Sequence, residues 1–167
     1  NAGNINIQAS GDVRIVNAAN ITTETNFTGA GGNISLSAKN LSIDGYGDGA
    51  TGIYSNVGTQ GQGDAGSVKI HVEENLRLQN SAKISSSTDS FWKGSAGTVL
   101  IEARNIELKG SLDAESARTE ISSAAHANEY DRYSTGNAGS VTVKARESLT
   151  LQDGAGISSS TYYKGSA

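Results

Sequence analysis

Apolar and polar residues alternate in short runs along the whole chain, and the runs recur. The clearest are Val68-x-Ile70-x-Val72, Val99-x-Ile101-x-Ala103 and Val141-x-Val143-x-Ala145. Alternation with a period of two is the pattern of a β-strand with one face buried. A second, shorter run follows each time: Val13-x-Ile15, Leu41-x-Ile43, Leu76-x-Leu78, Ile106-x-Leu108 and Leu149-x-Leu151. A third begins at Ile21, Ile53, Ile84, Ile121 and Ile157.

The spacing of these runs predicts the architecture. First run to second is 8, 7, 8, 7 and 8 residues, and second to third is 8, 12, 8, 15 and 8. Third to the next first is 13, 15, 15 and 20. One corner is therefore nearly fixed in length, one sometimes gains an insertion, and one always carries a variable loop. Self-similarity at a period of about 30 residues points to a stacked array. Two-residue Asn-Gly or Asp-Gly hairpin turns are missing from the first corner, which reads Ala-Lys-Asn, Glu-Glu-Asn, Ala-Arg-Asn or Arg-Glu-Ser. Equivalent strands should then stack in parallel, about 4.8 Å apart, with right-handed crossovers. The expected fold is all-β, a right-handed parallel β-helix (solenoid) of about five coils. Each coil has three short strands, with variable loops on one corner. Coils start near residues 3, 32, 66, 97 and 139, so 1–167 reads as a single segment. Lys164-Gly165-Ser166-Ala167 repeats Lys93-Gly94-Ser95-Ala96, which leads into a further copy, so an interior piece of a longer array is expected.

The residue before each second run is Asp12, Asn40, Asn75, Asn105 and Ser148. In a stacked solenoid these positions superpose, and side-chain amides in such a column can bond to one another and to the corner backbone. A structural ladder is expected there.

Composition narrows the function. Aromatic residues make up 5% of the chain and there are 21 Gly, which suits narrow strands and tight turns better than a broad globular core. With no Cys, disulfides and thiolate metal sites are excluded. No run approaches the about 18 apolar residues that a membrane helix needs, so no membrane insertion is expected. A net charge of −4 argues against a nucleic-acid partner.

The repeat AGxVxIxAxxxLxLxxGAxISSST resembles the β-helical shaft of filamentous-haemagglutinin-like exoproteins, large adhesins secreted by the two-partner route. Gly66-Ser67-Val68, Leu76-x-Leu78 and Ile84-Ser85-Ser86-Ser87 carry the resemblance, with their equivalents from Gly139 to Ser160. The family's amino-terminal Asn-Pro-Asn-Gly signature is absent, since the chain has no Pro. The resemblance implies a bacterial, extracellular, cell-surface shaft that attaches to host or neighbouring cells or to polysaccharide. A self-assembling filament or sheath subunit, and a carbohydrate-processing β-helix, are the alternatives. No enzyme activity, metal or cofactor is expected.

Candidate contact residues are the aromatics of the variable loops: Phe27, Phe91, Trp92, Tyr130, Tyr133, Tyr162 and Tyr163. Exposed aromatic rows offer large apolar area to sugar rings or partner proteins at low entropy cost; loop rings folded back onto a sheet are the plainer reading. The densest charge is Glu115, Glu120, Glu129 and Asp131 with Arg118, Arg132 and His126, which reads as a solvated loop. His71 alternates outward between Ile70 and Val72 as an exposed strand residue. Gly45-Tyr46-Gly47-Asp48-Gly49 and Gly61-Gln62-Gly63-Asp64 lack the nine-residue repetition of calcium-binding turns. Four Asn-x-Ser/Thr sequons, at Asn20, Asn26, Asn33 and Asn40, are what a Ser/Thr/Asn-rich repeat produces by chance.

Overall fold

A computed structural model describes residues 1–45, 51–89, 94–111, 118–126 and 136–162. These residues form β-strands and connecting segments, with no helix among them. The first copies of the repeat give three strands each: β1 (Ile5–Gln8), β2 (Asp12–Val16) and β3 (Asn20–Thr25), then β4 (Ile34–Ala38), β5 (Asn40–Asp44) and β6 (Gly52–Val57), then β7 (Val68–Val72), β8 (Asn75–Gln79) and β9 (Lys83–Thr88). In the last two copies the first and second strands run together as β10 (Val99–Lys109) and β12 (Val141–Gln152), each followed by a third strand, β11 (Glu120–Ala125) and β13 (Gly156–Thr161). The two expected strands fuse because the corner bends without breaking the ladder; a register shift between Ala103 and Asn105 marks it.

Strand pairing is parallel throughout the described residues. One sheet runs β1-β4-β7-β10-β8-β5-β2, with β12 also pairing β10, and the second runs β13-β11-β9-β6-β3. First and second strands thus share one curled sheet, and third strands make the other. Register follows the apolar pattern. Ile21, Ile53, Ile84, Ile121 and Ile157 sit side by side across the second sheet. Leu36, Ile70 and Ile101 do the same in the first sheet, as do Leu41, Leu76 and Ile106. A slip of one residue would turn every one of these side chains to the outside, so the hydrophobic pattern locks the stack.

The core is the strip between the two sheets. Ile34, Leu36, Leu41, Ile43, Ile53, Ile70 and Ile84 are among its fully buried members. Each is covered by the like residue of the neighbouring copy, which is why a single copy would leave its apolar face open.

Small side chains close the corners. Gly32, Gly66, Gly97 and Gly139 stack so tightly that a Cβ on any of them would collide with the carbonyl oxygen of the glycine one copy earlier. Two-residue turns with positive φ close the second corner where it is short: Asn17-Ala18 (56°, 59°), Asn80-Ser81 (53°, 70°) and Asp153-Gly154 (52°, 75°). Ala82 N donates to Gln79 O at 3.1 Å across the middle one. This is the local geometry of a hairpin turn, used here between strands of different sheets. Thr51 and Thr119, both buried, come from the next copy and accept from Ala18 N (3.0 Å) and Ser81 N (2.9 Å).

Candidate functional site

Polar side chains fall into columns because the strands stack in register. Asn40 Nδ2 donates to Asp12 Oδ1 at 2.8 Å, and Asn75 Nδ2 to Asn40 Oδ1 at 2.9 Å. Asn105 Nδ2 donates to Asn75 Oδ1 at 3.2 Å, and Ser148 Oγ to Asn105 Oδ1 at 2.7 Å. The chain of bonds runs along the outside of the first corner from Asp12 to Ser148. It ends sensibly at both extremes: a carboxylate accepts at one, a hydroxyl donates at the other.

A second column lies inside and had no role assigned to it in the sequence. Thr23, Ser55, Ser86, Ser123 and Ser159 occupy the middle of the third strands, facing the core. Ser55 Oγ donates to Gly32 O (2.8 Å) and accepts from Gly66 N (2.9 Å). Ser86 Oγ repeats this with Gly66 O (2.7 Å) and Gly97 N (2.9 Å), and Ser123 Oγ with Gly97 O (2.8 Å) and Gly139 N (2.9 Å). Each hydroxyl therefore satisfies the backbone of two successive glycines. The signal was present in the Ile-Ser-Ser-Ser-Thr runs: counting by twos from Ile84 points Ser86 inward and Ser85 and Ser87 outward.

Charges on the outside of the first sheet alternate in sign from strand to strand. Lys39 meets Glu74 (3.8 Å), Arg77 meets Glu107 (3.4 Å) and Arg104 meets Glu147 (3.5 Å). Glu102 lies between Lys144 (2.8 Å) and His71 (3.6 Å). The hydrogen bond and charge of Lys144, with a smaller contribution from His71, hold the Glu102 carboxyl below its ordinary range. A shallow groove of about 420 Å³ lies beside Asn75, Asn105 and Ser148, which bond in sequence, and is flanked by the Arg77–Glu107 pair.

The outside of the second sheet differs. A groove of about 290 Å³ crosses β6, β9 and β11, lined among others by Tyr54, Lys83, Ser85, Asp89, Glu120 and His126. His126 Nδ1 lies 3.0 Å from Asp89 Oδ1 and its ring stacks on Tyr162, with centroids 4.8 Å apart and planes inclined by 25°.

Of the aromatic loop residues singled out in the sequence, Phe27 is 71% and Tyr162 54% exposed, in different copies. Phe91, Trp92, Tyr130, Tyr133 and Tyr163 lie outside the described residues. So do Glu115, Glu129, Asp131 and Arg132 of the charged loop and most of the first Gly-Asp segment. In the second, Asp64 Oδ1 accepts from Ser95 N at 2.7 Å, a cap between copies. Among the described residues no group of three or more His, Cys, Asp or Glu is placed to hold a metal ion, and no helix is long and apolar enough to cross a membrane. No family model, curated protein or solved structure matches the chain.

Proposed function

We propose that the chain is a segment of a right-handed parallel β-helix, five coils of three strands, serving as the rigid shaft of a secreted or cell-surface adhesive protein. The in-register stacking carries this reading. An array whose apolar, amide, hydroxyl and glycine positions all superpose from copy to copy resists bending and slip, while the connections between third and first strands vary from 8 to 15 residues. Such a body holds loops and faces at fixed intervals along one axis. Right-handedness follows from the preference of parallel crossovers. The repeat's likeness to filamentous-haemagglutinin-like shafts supports an extracellular location and a bacterial source, with cells or polysaccharide as the surfaces bound.

Binding of the chain to a panel of polysaccharides and to intact cells tests this. A variant with Phe91, Trp92, Tyr162 and Tyr163 changed to Ala is run beside it. Attachment of the parent chain to cells or polysaccharide is the expected result, weakened in the loop variant where the aromatics are the contact. Absence of attachment to every surface in the panel argues against an adhesive role.

A further inference from the structure

We infer that the groove across β6, β9 and β11 is a binding site for an extended, uncharged polysaccharide, so that the sheet itself, beside the loops, makes contact. This rests on the adhesive reading above and assigns its ligand class and location.

The floor of the groove is made of small side chains. Ser85, Ser87, Ser122 and Ala124 project outward from adjacent strands, with Ser122 beside Ser85 and Ala124 beside Ser87 in the register. Ser85 is only 7% exposed and Ser122 only 8%, yet neither hydroxyl has a hydrogen-bond partner in the protein. Neither oxygen is sealed from solvent, because Ser81 Oγ is the one buried side-chain polar atom without a partner among the described residues, so both hydroxyls open onto the groove. The contrast with the inward serines of the same strands is direct, since Ser55, Ser86 and Ser123 each bond two backbone groups. A hydroxyl both donates and accepts, so Ser85 and Ser122 suit a ligand that does the same at every unit of its length.

The rims define the ligand further. Lys83 and Glu120 are register neighbours on one side, and Asp89 and His126 form a pair on the other. Each rim sets an acid beside a base, so the groove has no strong field of one sign to draw a sulfated or uronic chain. Glu120 Oε1 already accepts from Ser158 Oγ and Asp89 Oδ1 pairs with His126 Nδ1, which leaves the second oxygen of each carboxylate to accept from neighbouring sugar hydroxyls. Tyr54 lies at one end, and His126 bears the stacked Tyr162 at the other, so aromatic surface flanks the polar floor. Polar groups on a shallow floor with aromatic surface beside them suit the amphipathic faces of a pyranose.

Orientation follows from the stack. The groove runs across strands, so its equivalent positions repeat about every 4.8 Å. That spacing is close to the length of one hexose in an extended chain, which lets successive sugars meet successive strands.

Affinity gel electrophoresis in hydroxyethylcellulose, xyloglucan and galactomannan, with dextran sulfate as the charged comparison, tests the site. The parent chain is expected to be retarded by at least one neutral polymer. Ser122→Phe fills the floor from an outward position and is expected to weaken this by about tenfold or more. Glu120→Gln with Asp89→Asn, which changes no volume, should weaken it as well. Thermal unfolding of each variant establishes that the fold persists. Retardation that survives both changes but disappears in Phe91→Ala/Trp92→Ala overturns the groove and leaves the adhesive reading standing. Retardation by dextran sulfate alone, or by no polymer, also overturns the groove; binding to cells then decides the adhesive reading separately.

Discussion

The carbonyl oxygen of Gly66 occupies the space where a Cβ on Gly97 would stand. Ser86 holds the two glycines in that contact by donating to Gly66 O and accepting from Gly97 N. Close backbone approach and buried hydroxyl are thus one device, repeated up the stack.

Changing Gly97 to Ala should therefore be severe. The methyl meets backbone on the Gly66 side, so relief requires neighbouring copies to separate. A loss above about 3 kcal/mol is expected, within the small class of large single-residue effects. Urea unfolding of the variant measures it. A control at Gly3, where nothing stands near an added Cβ, should change stability little.

Ser86→Ala tests the other half. It strands a buried carbonyl and a buried N–H, and each unsatisfied group costs about 1–3 kcal/mol. Its outward neighbour Ser85→Ala should cost far less by the same measurement, since Ser85 has no partner to abandon.

Ser81 carries the one buried side-chain polar atom without a partner among the described residues, and its φ is +70°. Gly154 fills the equivalent turn position. Ser81→Gly removes an unsatisfied hydroxyl and a left-handed backbone strain of about 1–2 kcal/mol. An increase in melting temperature is expected, although most substitutions at a fully buried site lower it.

Acid should loosen the Glu102 cluster. The folded carboxyl titrates below the unfolded one because Lys144, and less strongly His71, favour its charged form. Its stabilising contribution is thus present above the unfolded carboxyl value, about pH 4.3, and is lost as the pH falls through the lower folded value. A side-chain NMR titration should place Glu102 below an ordinary glutamate, and Lys144→Met should bring it back up. An unchanged value in that variant would contradict the assignment.

Much of this was legible in the chain because stacking is periodic. The column of Ile21, Ile53, Ile84, Ile121 and Ile157 needed only a count by twos and an alignment of copies. So did the positions of Asp12, Asn40, Asn75, Asn105 and Ser148, whose side chains bond in sequence. What escaped depends on contacts between copies at close range. Gly32 and Gly66 aligned as punctuation, but their carbonyl contacts and serine partners arise only when strands are placed in space. The turn at Asn80-Ser81 escaped because its residues carry no Gly, and Asp153-Gly154 because its hairpin geometry here joins two sheets. The groove is built from common Ser, Lys and Glu, and only the placement of the unpartnered Ser85 and Ser122 hydroxyls side by side on its floor singles it out.

The most direct measurement is cross-linking of neighbouring floor positions, in a chain that has no native cysteine. Ser85→Cys/Ser122→Cys places two thiols on register partners of adjacent strands, about 4.8 Å apart and within disulfide reach of about 4.4–6.8 Å. Mild oxidation should form the disulfide quantitatively with the circular dichroism of the parent retained. The diagonal pair Ser85→Cys/Ala124→Cys should form it far more slowly. Equal rates for the two pairs, or oxidation only after unfolding, would contradict the in-register stack on which both the shaft and its groove depend.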